Sequence, residues 1–414
     1  MQLRLTSLLG LIVFLVLAWA LSSDRGKFPR RVVIWGLALQ VTFALLILRT
    51  VPGQWFFDFF QRAFLRLNSF AMDGAAMIFG PLASGDAMST AFGPGTGVTL
   101  AIIVMATIIL VASLSALLYH WGVLQLAVEG MARVMQRTMG TSGSESLAAA
   151  ANIFMGQTEA PLVIKPYLDS MTRSEILAMM TGGMATIAGG VLAVYTGFGA
   201  NAGHLLTASV LSAPGALLVA KIMMPETETS PTAGHVRVRV ERGTVNSFDA
   251  LCQGASDGLK LSLNVLAMLV AFVAVVALAN FLIGAVAGWF GASLTLQQLF
   301  GWINAPFAWL MGIPAKDCVL VGQMLGERIV INEFVGYLTL TQNTAALDSR
   351  SATIATYALC GFANFSSVAI QIGGIGSLAP GRRAELARLG LRSMVGGLLA
   401  CYVTACIVGL LGAG

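Results

Sequence analysis

The chain has 414 residues, 57% of them hydrophobic and only 10% charged, with a formal net charge of +5. Soluble domains carry about a quarter charged residues, so this composition excludes an ordinary soluble protein and points to an integral membrane protein. The basic excess is no nucleic-acid footprint, because it sits mostly in short loops beside apolar runs, which is the positive-inside pattern.

Residues 5–23 and 32–48 each fit one crossing of a hydrocarbon layer about 30 Å thick. The first ends in Ala18-Trp19-Ala20, similar to a signal-peptidase site, yet Arg25, Lys27, Arg30 and Arg31 follow it and only Arg4 precedes it. Basic residues stay cytoplasmic, so the segment is a retained span with its N-terminus outside. In residues 54–70, Phe56, Phe59, Phe60, Ala63, Phe64 and Leu67 fall at helical spacing, with Asp58, Gln61, Arg62 and Arg66 largely opposite. Such a helix lies in the membrane interface or packs between subunits. Residues 80–97 read as a loop, 98–120 as a third span, and 125–137 as a second surface helix.

Residues 147–168 are too broken by Gly156, Pro161 and Pro166 to be a simple span. They read as a re-entrant hairpin, which a membrane protein tolerates only where its backbone is buried in protein or lines water. At its centre stands Gly156-Gln157-Thr158-Glu159-Ala160-Pro161. A carboxylate at membrane depth is costly unless it is paired or faces a wet cavity. The stretch therefore reads as a broken helix presenting Gln157, Thr158 and Glu159 to a polar cavity. Residues 176–195 and 205–224 follow as spans, and 225–246, with Arg237, Arg239 and Arg242, as a cytoplasmic connector. Residues 248–260 lead into a long span over 261–290. Lys316, Asp317, Glu327, Arg328 and Glu333 make 315–339 a poor span and a second re-entrant hairpin; 351–378 and 393–411 are the last spans. The architecture expected is all-α, with about eight crossings and both termini outside. Segments divide as 1–50, 51–140, 141–224, 225–260, 261–313 and 314–414.

A unit of hairpin, polar-centred span and apolar span occurs twice, in 146–224 and 316–411. Glu159 is matched by Asn332-Glu333, and Ala185-Thr186-Ile187-Ala188-Gly189-Gly190 by Ala363-Asn364-Phe365-Ser366-Ser367-Val368. With basic ends inside, the two units have opposite orientations, the inverted repeat of many secondary transporters. An enzyme would need a nucleophile–base pair or a metal cluster. His120, His204 and His235, and the cysteines at 252, 318, 360, 401 and 406, show no such spacing. An odd cysteine count without paired spacing also argues against a disulfide framework. A carrier of carboxylates would want a buried cation, and no buried Arg is evident beside the two acids.

Four blocks in order resemble the concentrative nucleoside transporter family. They are Ala151-Asn152-Ile153-Phe154-Met155-Gly156-Gln157-Thr158-Glu159-Ala160-Pro161, Ala188-Gly189-Gly190-Val191, Asn332-Glu333-Phe334-Val335-Gly336-Tyr337 and Cys360-Gly361-Phe362-Ala363-Asn364-Phe365-Ser366-Ser367. The similarity covers essentially the whole chain. The resemblance implies a homotrimer of the bacterial inner membrane that imports nucleosides of the uridine kind. In it, the hairpins and their partner spans move as a unit past a scaffold. It implies that Gln157, Thr158 and Glu159 face the nucleobase with Val191 beside it. Glu333, Asn364 and Ser367 would face the ribose, and Phe362 would pack between base and sugar. It implies sodium as coupling ion, on Asn152, Thr186 and the carbonyls of Met155 and Ile187, with no organic cofactor. Proton coupling through Glu159 or Glu333, and a passive channel, are the competing mechanisms. Thr186 stands where some relatives have Ser, Met155 where some have a smaller residue, and Ala315 where many have Trp.

Overall fold

Where the helices break, rather than where they run, sets this architecture. The computed structural model describes residues 2–93, 97, 99–232, 244–289 and 293–412, and among these every regular element is helical. Two apolar helices come first, α1 (Gln2–Ala20) and α2 (Arg30–Arg49). The expected interfacial helix is longer than its amphipathic stretch, as α3 (Val51–Phe79), because Thr50 caps it through the Gly53 N–H at 3.2 Å and Pro52 fits its first turn. The expected loop after it holds a 3₁₀ turn, Gly80–Ala83, and a short helix, α4 (Gly85–Phe92), which Ser84 caps through the Ala87 N–H at 3.3 Å. Then come α5 (Leu100–His120) and α6 (Val123–Met139).

The first repeat unit is α7 (Gly143–Ala151), a single turn α8 (Ala160–Val163), α9 (Arg173–Ala185), α10 (Gly189–Gly197) and α11 (Ala202–Met223). Next are α12 (Ser247–Gly288) and α13 (Leu296–Leu310). The second unit is α14 (Ala315–Val330), α15 (Glu333–Gln342), α16 (Ser349–Leu359), α17 (Phe365–Leu378) and α18 (Arg383–Leu411). Both hairpins form as expected, but the spans expected over 176–195 and 351–378 are each interrupted, at 186–188 and at 360–364. Seven helical segments among the described residues are long and apolar enough to cross a membrane; over 351–378, where an eighth crossing is expected, the chain instead forms the broken pair α16–α17, neither half of which is long enough by itself. The helix α13 was hidden in the uncharged run before residue 315; Thr295 and Gln298 start it with a reciprocal capping box.

The two units enter from opposite faces of the molecule. On one face, Arg392 donates to the carbonyls of Leu21 (2.6 Å) and Met223 (2.9 Å), and Glu385 pairs with Arg173 and Arg382. This gathers the end of α1, the start of α9, the end of α11 and the start of α18. On the other face, Arg350 at the start of α16 donates to Gly409 O (2.8 Å) and Gly312 O (3.0 Å), and Arg49 donates to Leu411 O. Equivalent helices of the two repeats therefore run antiparallel.

The helix α12 has 42 residues, about 63 Å at 1.5 Å per residue, roughly twice the hydrocarbon layer. It is one helix from Ser247, absorbing the expected lead-in segment. Its early turns seat on α5 at Gly254 and Gly258, where an added Cβ would lie 2.7 Å from Ala112 O and 2.9 Å from Ile109 Cα. Its most apolar stretch buries nothing within the chain, whereas α9–α11 and α18 are mostly enclosed.

Arg237, Arg239, Arg242 and His235 of the expected connector lie outside the described residues. Its first part is tied down. Capping boxes start α7 (Ser142/Glu145) and α9 (Thr172/Glu175), and each glutamate has a second task. Glu175 accepts from Ser230 (2.5 Å), Thr232 (2.9 Å) and Ser144 (3.2 Å). Glu145 pairs with Lys221 at 2.7 Å, with both side chains at most 5% exposed, and Lys221 also reaches Glu226 at 3.2 Å. Removing one partner of such a buried pair strands the other charge. Lys221→Met is expected to destabilise the protein by about 3–5 kcal/mol. A thermal-unfolding series in detergent checks this, and Lys221→Met/Glu145→Leu should recover most of the loss.

Candidate binding site at the helix breaks

Each break frees carbonyls at one helix end and N–H groups at the next helix start, and these must find partners away from water. The breaks at 152–159 and 186–188 are stitched together by the Gly189 N–H donating to Phe154 O at 3.3 Å. In the second unit, Asn332 and Asn364 are extended and cap the helices that follow them. Asn332 accepts from the Val335 N–H (3.2 Å) and Asn364 from the Ser367 N–H (2.8 Å).

Side chains from three of the breaks, joined by Tyr195 of α10, then form one hydrogen-bonded line. Gln157 Nε2 of the first hairpin donates to Ser367 Oγ in α17 at 3.1 Å. Asn364 Nδ2 at the head of α17 donates to Glu333 Oε2 of the second hairpin at 2.8 Å. Tyr195 in α10 donates from its hydroxyl to Glu333 Oε1 at 3.0 Å. Glu333 is only 2% exposed, and each of its oxygens takes one side-chain donor. Ser366 Oγ holds the Asn364 amide from the other side at 2.7 Å.

Glu159 is exposed, with Oε2 accepting the Gly156 N–H at 3.2 Å, and Thr158 is half-buried against Gly374. Val191, in the first turn of α10, and Phe362, in the break before α17, are buried. Gly183 has to be glycine for the two hairpin-facing amides to meet, since a Cβ there would lie 2.7 Å from Gln371 Nε2 and 2.9 Å from Gln157 Cβ.

A second set of oxygens lies at the same stitched breaks. Asn152 is 1% exposed and its Oδ1 has no partner. Thr186 Oγ1 donates to Gly182 O at 2.9 Å, which leaves its lone pairs free. Asn152 Nδ2 lies 3.1 Å from where a Gly182 Cβ would stand, so both side chains meet at one glycine. Among the described residues no hydrogen bond reaches the carbonyls of Met155 or Ile187. An unpartnered buried amide oxygen with free hydroxyl and carbonyl oxygens is a donor set suited to a hard monovalent cation.

Three residues that sequence reasoning did not place belong here. Tyr195 sits in an apolar run with nothing to mark it. Gln371 is fully buried in α17 and bonds Gln157 Oε1 (3.2 Å) and Met180 O (3.0 Å). Arg328 is fully buried too, correcting the expectation that no buried arginine accompanies the acids. Its two terminal nitrogens are held by Ala358 O and by Cys401 Sγ at 3.3 Å, while its Nε has no partner among the described residues.

Family models match almost end to end: Na+ dependent nucleoside transporter N-terminus over residues 9–82, nucleoside recognition over 101–202, and Na+ dependent nucleoside transporter C-terminus over 204–409. The chain is 41% identical to an uncharacterized transporter of Haemophilus influenzae, over 98% of this chain and 97% of that one. It is 40% identical to the nucleoside permease NupC of Helicobacter pylori, over 98% and 97%. A solved structure of CNTnw, in an inward-facing substrate-bound state, superposes with a TM-score of 0.93 at 38% identity, covering 100% of this chain and 99% of that one.

The Tyr195–Glu333 contact has a measurable weight. Tyr195→Phe takes the only side-chain donor from Glu333 Oε1 among the described residues, and an unmet buried polar group costs about 1–3 kcal/mol. A lowered unfolding temperature of the purified variant, with Tyr195→Trp not restoring it, is the expected result.

Proposed function

The chain belongs to the concentrative nucleoside transporter family, whose members are transporters and not enzymes, and we propose that it is a sodium-driven symporter importing uridine-like nucleosides. What carries this reading is the line Gln157–Ser367 and Asn364–Glu333, which joins both hairpin tips across one helix start. A ribonucleoside is neutral, with a flat base that mixes donors and acceptors and a cis-diol that offers two O–H donors. An ionised carboxylate accepts only, which suits Glu333 to those two donors. Gln157, Thr158 and Glu159 supply the mixed partners a base edge needs, Val191 and Phe362 the apolar flanks, and Asn364 and Ser367 donors to sugar oxygens.

Sodium is favoured over the proton by the Asn152 oxygen that lacks a partner, beside Thr186 and the free carbonyls of Met155 and Ile187. An ion there orders the backbone that carries Gln157–Glu159, so ion binding prepares the base site. One charge moving through 100 mV contributes about 2.3 kcal/mol, roughly fifty-fold accumulation before any sodium gradient is added. The enclosed repeat units would move as one body past α3, α5 and α12. The uncovered apolar length of α12 is the natural contact between subunits of a homotrimer in the bacterial inner membrane.

Radiolabelled uridine uptake into proteoliposomes tests the reading. An inward sodium gradient should give accumulation. Accumulation on a proton gradient without sodium would move the coupling to Glu159 or Glu333, and simple equilibration would make the protein a channel. Glu333→Gln and Glu159→Gln should each lose most of the transport. 2′-Deoxyuridine should bind more weakly by about 1–3 kcal/mol, since it brings Glu333 one donor fewer; equal uptake of the two substrates would remove Glu333 from the diol.

A further inference from the structure

The hydrogen bonds behind Ser367 run in one direction only. Met180 O is a backbone carbonyl and can only accept, so the Gln371 atom 3.0 Å from it is the amide nitrogen. That same nitrogen faces the Gln157 amide at 3.2 Å, so the Gln157 atom there is its oxygen. The Gln157 nitrogen is then turned toward Ser367 Oγ at 3.1 Å, and because it can only donate, the hydroxyl oxygen must accept. A hydroxyl has one hydrogen. With its oxygen already accepting from Gln157, and no protein acceptor for it among the described residues, the Ser367 hydrogen is left to point at whatever occupies the site.

The arrangement is imposed from the far end of the line. Gln371 Oε1 is buried without a partner in this orientation, yet turning the amide over would set oxygen against both Met180 O and Gln157 Oε1. Even if Gln157 turned with it, the oxygen–oxygen contact at Met180 and a buried amide nitrogen left without an acceptor would outweigh one unmet acceptor. Gly183 provides the space in which the two amides meet.

We infer that Gln371 is a positioning residue for substrate recognition. Through Gln157 it commits the Ser367 hydroxyl to donate, so this point of the site selects a sugar oxygen that accepts. The inference rests on the nucleoside reading above and adds to it a residue that contacts no substrate. Without the Gln371 donor, the Gln157 amide is free to turn over and Ser367 is free to donate to it instead. The substrate then loses a donor, while the volume of the site is nearly unchanged.

Uridine transport by Gln371→Met, Ser367→Ala and the double variant in proteoliposomes tests this. Each single change should raise KM about tenfold, the scale of one hydrogen bond, with Vmax per folded transporter within about twofold of the parent. The double variant should raise KM no further than Ser367→Ala alone, because the relay from Gln371 through Gln157 ends on that hydroxyl. KM effects that multiply in the double variant, or a Gln371→Met protein with unchanged KM, would overturn the relay and assign Gln371 to packing. If Gln371→Met is not recovered folded, Gln371→Leu is read by the same criterion. Unaltered protein that takes up no uridine would sink the nucleoside reading and the relay together. Uptake by the unaltered protein with multiplying KM effects would sink the relay alone.

Discussion

A peptide group inside a bilayer has no water to bond to, and among the described residues the two repeat units break their helices at 152–159, 186–188, 331–332 and 360–364. The orphaned groups must be met by protein, by ion or by substrate, and the structure divides the work accordingly. The N–H groups at the helix starts are met by Asn332 and Asn364, whose amides are then poised beside Glu333 and Ser367. Among the described residues, the carbonyls of Met155 and Ile187 and the oxygen of Asn152 are left over. A transporter needs groups that are satisfied only when cargo is aboard, and broken helices supply them without adding a formal charge.

Opposed orientation gives the second property. Because equivalent helices of the two units run antiparallel, their breaks meet in the middle from opposite faces, and α17 presents its start to both hairpins. The outer ends are fixed differently. Arg392, Arg173, Arg382 and the Glu145–Lys221 pair fasten one face, Arg350 and Arg49 the other. Polar bonds to helix ends hold each face together, while the centre keeps unspent acceptors.

Much of this was legible in the residues. Gly156 and Pro161 forbid a continuous helix, so the first hairpin and its Gln157-Thr158-Glu159 centre could be read directly. Asn332-Glu333 and Asn364 showed as polar residues at membrane depth. The breaks at 186–188 and 360–364 were not visible, because neither contains a proline and an apolar run with glycines is also what a close-packed span looks like. The helix α13 carries no charge and was absorbed into its neighbours. Arg328 was seen as a reason to doubt a span, but its burial depends on Ala358 O and Cys401, which lie 30 and 73 residues away in sequence. Tyr195 and Gln371 are similar cases: their partners Glu333 and Gln157 lie 138 and 214 residues off, beyond any local pattern.

The polar side chains at the centre already hold one another, and that bears on selectivity. Gln157 bonds Ser367 and Asn364 bonds Glu333, so each of these four has a protein partner. Binding therefore exchanges or adds hydrogen bonds rather than filling an empty polar void, and the net gain from each is modest. Discrimination comes instead from the penalty of a wrong group. On the proposed nucleoside reading, an acceptor placed against Glu333, or a donor against the Ser367 hydrogen, would face a partner held by its own hydrogen bonds. A carrier that has to release its cargo on the other side benefits from that balance, since rejection of the wrong solute does not require tight retention of the right one.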